Sequence, residues 1–213
     1  MEKNSKIIIV FSVFSIIILL GVLGASLYSL SDNIRMDIYL DGENATVKLL
    51  AIPFGKDMES MENEIITYSI KEMNNVNSDI SSLKFGIMEI ARKYGFNDIN
   101  LHISSQFGED KLPMRVIVDG ISMFPTLLDG EEVIIEKTQN IQVGDIVVAK
   151  DPEYKLLIKR VAYISGDKVF LSSDNNDTIT IFENGTYYNM IAVEKWTDMS
   201  NIVGVARVWS SMN

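Results

Sequence analysis

From Phe107 onward the chain is cut into short runs rich in Val and Ile, and this constrains its fold more than any other feature. The runs are Arg115–Val118, Glu132–Glu136, Asp145–Lys150, Leu156–Ile164, Lys168–Leu171, Thr178–Phe182 and Ile202–Val208. Gly, Asp and Asn separate them. Short apolar runs between regular turn signals predict an antiparallel sheet or barrel-like β region. A boundary falls near 107–112, where Gly108-Glu109-Asp110-Lys111 is polar and Pro113 follows.

The segment before that boundary reads differently. Arg35–Leu40 and Thr46–Ile52 read as strands, and Asp41-Gly42 between them is a hairpin signal. Asp57 is placed to cap a helix with Met58, Met61, Ile65 and Tyr68 on one face. Ser78 is the expected cap of a second helix carrying Ile80, Leu83, Ile87, Ala91 and Tyr94, which Gly95 would end. Ile99, Leu101 and Ile103 alternate with polar residues, as in a half-buried strand.

Further upstream, Ile7 to Leu27 is almost wholly apolar, about the length of a membrane-crossing helix. Lys3 and Lys6 precede it, so the N-terminus is expected on the cytoplasmic side and the remainder outside the cell membrane. Gly24 and Ser26 have cleavage-like spacing. The apolar run is nevertheless longer than a signal-peptide core, so an uncleaved single-pass anchor is the reading. The expected organisation is therefore a cytoplasmic tip and anchor over 1–30, an α+β extracytoplasmic segment over 31–111, and a β-rich domain over 112–213. In fold class this is a mainly β domain of antiparallel, barrel-like sheets, with an N-terminal transmembrane helix and a small α+β insertion.

Composition narrows the chemistry. The chain has no cysteine, which excludes thiol catalysis and Cys-ligated zinc. No cofactor or metal is expected. The net charge is −10. Residues 1–28 contribute +1 through Lys3, Lys6 and Glu2, which leaves −11 for the rest. An exported domain this acidic is not expected to bind nucleic acid through charge. The lipid bilayer enters as a partner through the anchor instead.

Two residues carry the expected chemistry. Ser122 follows the Asp119-Gly120 turn and precedes Pro125, a setting that exposes a hydroxyl. Serine is a poor nucleophile until a base takes its proton. The one histidine, His102, lies before it. Lys159, within Leu157-Ile158-Lys159-Arg160-Val161, shares its strand face with Leu157, Val161 and Tyr163, while Arg160 points the other way. Burial among apolar neighbours disfavours the charged amine and lowers its pKa, whereas an arginine would stay charged. Ser122 and Lys159 thus read as a Ser-Lys dyad. A surface lysine whose stem covers apolar neighbours is the simpler account of that strand taken alone.

The stretch Val118-Asp119-Gly120-Ile121-Ser122-Met123-Phe124-Pro125-Thr126-Leu127 resembles the nucleophile box of type I signal peptidases, membrane-bound serine proteases. Val143-Gly144-Asp145-Ile146-Val147-Val148 is similar to that family's Gly-Asp box. Ile158-Lys159-Arg160-Val161 followed by Ser165-Gly166-Asp167 is similar to its lysine box. Ser173-Asp174-Asn175-Asn176-Asp177 resembles its acidic box, and Ile202–Ala206 its closing strand. The resemblance implies that Ser122 attacks the scissile carbonyl, that Lys159 is the general base, and that the Ser122 N–H serves the oxyanion hole. It implies that Asp174 organises the site, with Arg160 as charge partner, and that secretory preproteins are the substrates. Val118, Ile121, Met123 and Val133 are candidate pocket residues. The chain departs from the family at Gly120, where some members place an oxyanion-hole serine, and at Ser173, where glycine is usual. An inactive anchored binding or assembly module is the alternative. A self-cleaving repressor-type Ser-Lys peptidase is disfavoured, because the chain lacks an Ala-Gly bond to cut.

Overall fold

The computed structural model describes residues 15–24, 32–52, 55–175, 179–183, 186–190 and 193–209. Residues 15–24 are helical and their apolar side chains, Ile16 to Leu23 among them, are exposed. The rest of the expected anchor, residues 7–14 and 25–27, lies outside the described residues. Among the described residues no helix is long and apolar enough to cross a membrane.

The first layered unit is mixed α/β. Strands β1 (Asn33–Leu40) and β2 (Ala45–Ala51) form the expected antiparallel hairpin. Helices α1 (Met58–Asn74) and α2 (Ile80–Lys93) follow. Strand β3 (Asp98–Ser105) then pairs parallel to β1, and β4 (Gly108–Glu109) closes the sheet in the order β2-β1-β3-β4. The parallel pair arises because the chain leaves the hairpin at β2 and returns through the two helices to the other side of β1. Alternation buries Ile34, Met36, Ile38 and Leu40 of β1 against Met61, Ile65, Leu83 and Ile87 of the helices.

Asp57 caps α1 as expected, accepting the Ser60 N–H at 3.0 Å. The cap of α2 is Asp79 rather than Ser78. Asp79 accepts the Ser82 N–H at 2.8 Å, and the Ser82 hydroxyl accepts the Asp79 N–H at 3.0 Å. Ser78 instead donates to the buried Glu72 carboxylate at 2.5 Å. A reciprocal box satisfies two orphan donors where a lone serine would satisfy one.

The second unit is a curled antiparallel sheet, a half-barrel of seven strands. Its strands are β5 (Pro113–Ile117), β6 (Glu132–Glu136), β7 (Ile146–Asp151), β8 (Lys155–Ser165), β9 (Lys168–Ser172), β12 (Lys195–Asp198) and β13 (Ile202–Trp209), ordered β12-β9-β8-β7-β13-β6-β5. A separate hairpin joins β10 (Ile179–Glu183) to β11 (Thr186–Met190). Strands β4, β11 and β12 were not expected from the sequence. The last is four residues long with an exposed Trp196 at its centre, too short for its alternation to register.

Lys137 ties the two units together. Its amine donates to the carbonyls of Glu72 at 2.8 Å and Asn75 at 2.6 Å, at the C-terminal end of α1. Those carbonyls lack partners within the helix, so a lysine there meets both their hydrogen-bonding need and the helix dipole. Burial lowers the Lys137 pKa to about 8.

Closure of the half-barrel depends on Gly204. The β13 register shifts between Ile202 and Gly204 against β7. A Cβ on residue 204 would stand 2.3 Å from the Glu136 carbonyl oxygen of β6. That neighbour is backbone and cannot swing aside. Gly204→Ala is therefore expected to destabilise the protein by about 1–3 kcal/mol, the range for overpacking. Urea unfolding of the full chain in detergent would reveal it, and an unchanged midpoint would contradict the close approach.

Candidate active site

The loop between β5 and β6 presents Ser122. Val118 and Glu131 begin and end it, with the Val118 N–H donating to the Glu131 carbonyl at 2.9 Å. Inside it, Met123 and Leu127 are fully buried while Ile121 and Phe124 are exposed. The buried pair fastens the loop to the core and leaves Ser122 at its surface. Gly120 has φ +87, a backbone region that disfavours any side chain, and its N–H donates to the Asp129 carboxylate at 2.7 Å.

Lys159 reaches this serine from β8. Antiparallel pairing sets Lys159 opposite Val147 of β7. The residue is only 3% exposed, and its Nζ lies 2.5 Å from Ser122 Oγ. Burial lowers the Lys159 pKa from its ordinary value, and the Asp174 charge opposes part of that shift. Val161 shares the buried face, as expected. Tyr163 does not, and is exposed. The register against β9 shifts between Val161 and Tyr163, so two residues of β8 oppose one of β9 and the alternation inverts beyond that point.

Arg160, on the other face of β8, holds the surrounding turns. Its Nε and Nη2 donate to the two oxygens of Asp174 at 2.7 and 2.6 Å, and its Nη1 donates to the Gly144 carbonyl at 2.7 Å. Thr126 Oγ1 also donates to Asp174, at 2.5 Å. Burial alone would raise the Asp174 pKa. The hydrogen bonds from Arg160 and Thr126, with the charges of Arg160 and Lys159, bring it below its ordinary value. The next residue clips the serine loop directly. The Asn175 N–H donates to the Ser122 carbonyl at 3.0 Å, and its side-chain amide donates to the Ile121 carbonyl at 3.1 Å. Sequence reasoning had no specific role for Thr126, which stands in the quoted serine box, and read Asn175 with Asp174 as turn and support at once. Ser173 is buried, with its hydroxyl 3.4 Å from the Val193 carbonyl.

Beside the dyad lies a groove of about 350 Å³. One wall carries Met114 to Ile117 of β5 and the other Tyr154 and Leu156 to Lys159, leading into and along β8. Consecutive residues line each wall, so the groove follows strand edges rather than strand faces. Strand β5 ends the sheet, and among the described residues β9 pairs only with Arg160–Ser165 of β8. The first half of β8 thus has an open edge as well. Of the four expected pocket residues, Val118, Met123 and Val133 lie in the core beneath this region and do not line the groove. Ile121 is exposed on the serine loop.

The geometry suits proton exchange between a hydroxyl and a neutral amine in a site walled by apolar side chains. Asp174→Asn removes the charge that opposes the Lys159 shift, so it should lower the Lys159 pKa further. A pH titration of isotope-labelled lysine followed by NMR would show this. A Lys159 that titrates like a free lysine would contradict the burial described.

Residues 112–205 match the family described as signal peptidase, peptidase S26. A similar protein is "Signal peptidase I V" of Bacillus subtilis (strain 168), 38% identical over 61 residues. That alignment covers 27% of this chain and 36% of the relative, so the chain spans little more than a third of the relative's length. Over residues 112–205, the chain is thus similar to the signal peptidase S26 family, a family of serine peptidases.

Proposed function

We propose that this protein is a membrane-anchored serine endopeptidase that removes signal peptides from exported preproteins, with Ser122 as nucleophile and Lys159 as general base. The observation that carries this reading is the 2.5 Å approach of a buried lysine amine to Ser122 Oγ. At that distance a neutral amine accepts the hydroxyl proton as Oγ attacks the scissile carbonyl. The resulting ammonium then gives its proton to the leaving amine, which leaves an ester on Ser122. Water attacks the ester, Lys159 takes the water's proton, and Ser122 recovers its own as the acid departs.

The remaining groups position this pair. Arg160 and Asp174 hold the Gly144 and Asn175 turns, and Asn175 holds the serine loop. The Ser122 N–H is the proposed oxyanion donor. Gly120 contributes no second one, because its own N–H is engaged by Asp129.

A substrate in extended form fits the groove, where two open strand edges offer backbone pairing. Its side walls of Val116, Val148, Leu156 and Ile158 are apolar and accept small side chains near the cut. The exposed apolar helix at 15–24 supports an anchor over residues 1–30, with the catalytic unit on the outer side of the cell membrane. Residues 31–111 and 112–213 are taken as an α+β unit and the catalytic domain.

The test is cleavage of a secretory preprotein by the purified full chain in detergent. Ser122→Ala and Lys159→Ala should each reduce the rate by about a thousandfold or more. Lys159→Arg should be equally inactive, since a guanidinium stays charged. The wild-type rate should rise with pH as the Lys159 ammonium loses its proton, with a midpoint below that of an ordinary lysine. Substantial activity in any of the three variants would sink the dyad.

A further inference from the structure

The groove has a charged end remote from the dyad, and one turn of the α+β unit stands close behind it. Strands β5 and β8 both run toward Ser122 and Lys159, so Arg115 and Tyr154 stand at the far mouth. Apart from Lys159 itself, Arg115 is the one basic residue lining the groove among the described residues. Its Nη1 donates to Glu132 of β6 at 2.6 Å. Its Nη2 lies 3.8 Å from Glu43, which belongs to the β1–β2 turn of the other unit. Beside Glu43, Gly42 seats that turn on the half-barrel. A Cβ there would meet Ile134 side-chain atoms at 3.1 Å and the Arg115 nitrogen at 3.7 Å.

Glu132 therefore engages one N–H of Arg115, and Glu43 stands beyond hydrogen-bond reach. A guanidinium has five N–H groups in a rigid fork. Arg115 is about one-third exposed, so its ion pair with Glu132 is partly solvated and exchanges readily.

We propose that Arg115 is a specificity-determining residue that reads an acidic side chain of the substrate upstream of the cut, and that Glu43 tunes it. This rests on the peptidase reading above and gives the α+β unit a part in substrate selection. At a strand rise of ~3.3 Å per residue, the path from Arg115 to Ser122 places that side chain roughly four to seven residues before the scissile bond. Glu43 competes electrostatically with the incoming carboxylate. Its removal strengthens the preference.

The experiment uses peptides spanning a signal-peptide cleavage site that carry Asp, Ala or Lys singly across those positions. The full chain in detergent should cleave the best Asp peptide about two- to fivefold faster in kcat/KM than its Lys counterpart, the range of a partly exposed ion pair. Arg115→Gln should bring that ratio near one, Arg115→Lys should keep part of it, and Glu43→Gln should widen it. Fluorescence anisotropy of the same peptides on the Ser122→Ala chain should show the same order in Kd. Equal cleavage of Asp and Lys peptides at every position, or a ratio that survives Arg115→Gln, overturns the assignment of Arg115. Preferential binding of Asp peptides without any cleavage by the wild-type chain supports the subsite and overturns the peptidase reading instead.

Discussion

The burial of one amine organises this molecule. Burial at the Lys159 position disfavours the charged amine and shifts it toward the neutral form that can face a hydroxyl. That burial requires a paired strand beside the residue, a loop held over it and a countercharge set at a distance. The half-barrel supplies the first through β7 and the second through Met123 and Leu127. Asp174 supplies the third. It is neutralised by its two-point contact with Arg160, so its pull on the lysine is moderated rather than dominant.

The turns around the dyad form one connected set of hydrogen bonds. Arg160 joins the Gly144 turn to Asp174, Thr126 joins Asp174 back to the serine loop, and Asn175 grips the loop backbone at two successive carbonyls. None of these groups has to touch a substrate to matter. Each fixes the distance between an oxygen and a nitrogen, and proton transfer is steeply sensitive to that distance.

How much of this was legible in the sequence differed by kind of information. Ser122, Lys159, Arg160 and Asp174 stood in recognisable boxes, and the structure brings all four together. Strand alternation placed Lys159 and Val161 on the buried face but failed at Tyr163, because a register shift depends on the neighbouring strand and leaves no mark on its own. The cap of α2 was misplaced by one residue because Ser78 and Asp79 are both good caps, and only the reciprocal bond with Ser82 separates them. The groove was the hardest to foresee. Val118, Met123 and Val133, expected as pocket residues, pack in the core and do not line it. The actual walls are edges of strands that meet only when the sheet curls, and that information lies in the pairing order rather than in any single strand.

The pairing order has one more effect. Four antiparallel pairings lead from β8 to β5, an even number, so the two open-edged strands flanking the groove run the same way. A chain laid between them meets both with a single polarity. Turned end for end, it would exchange one ladder pattern for the other on both sides at once. For the substrate proposed above, strand parity thus makes the two N-to-C directions inequivalent before any side chain is inspected.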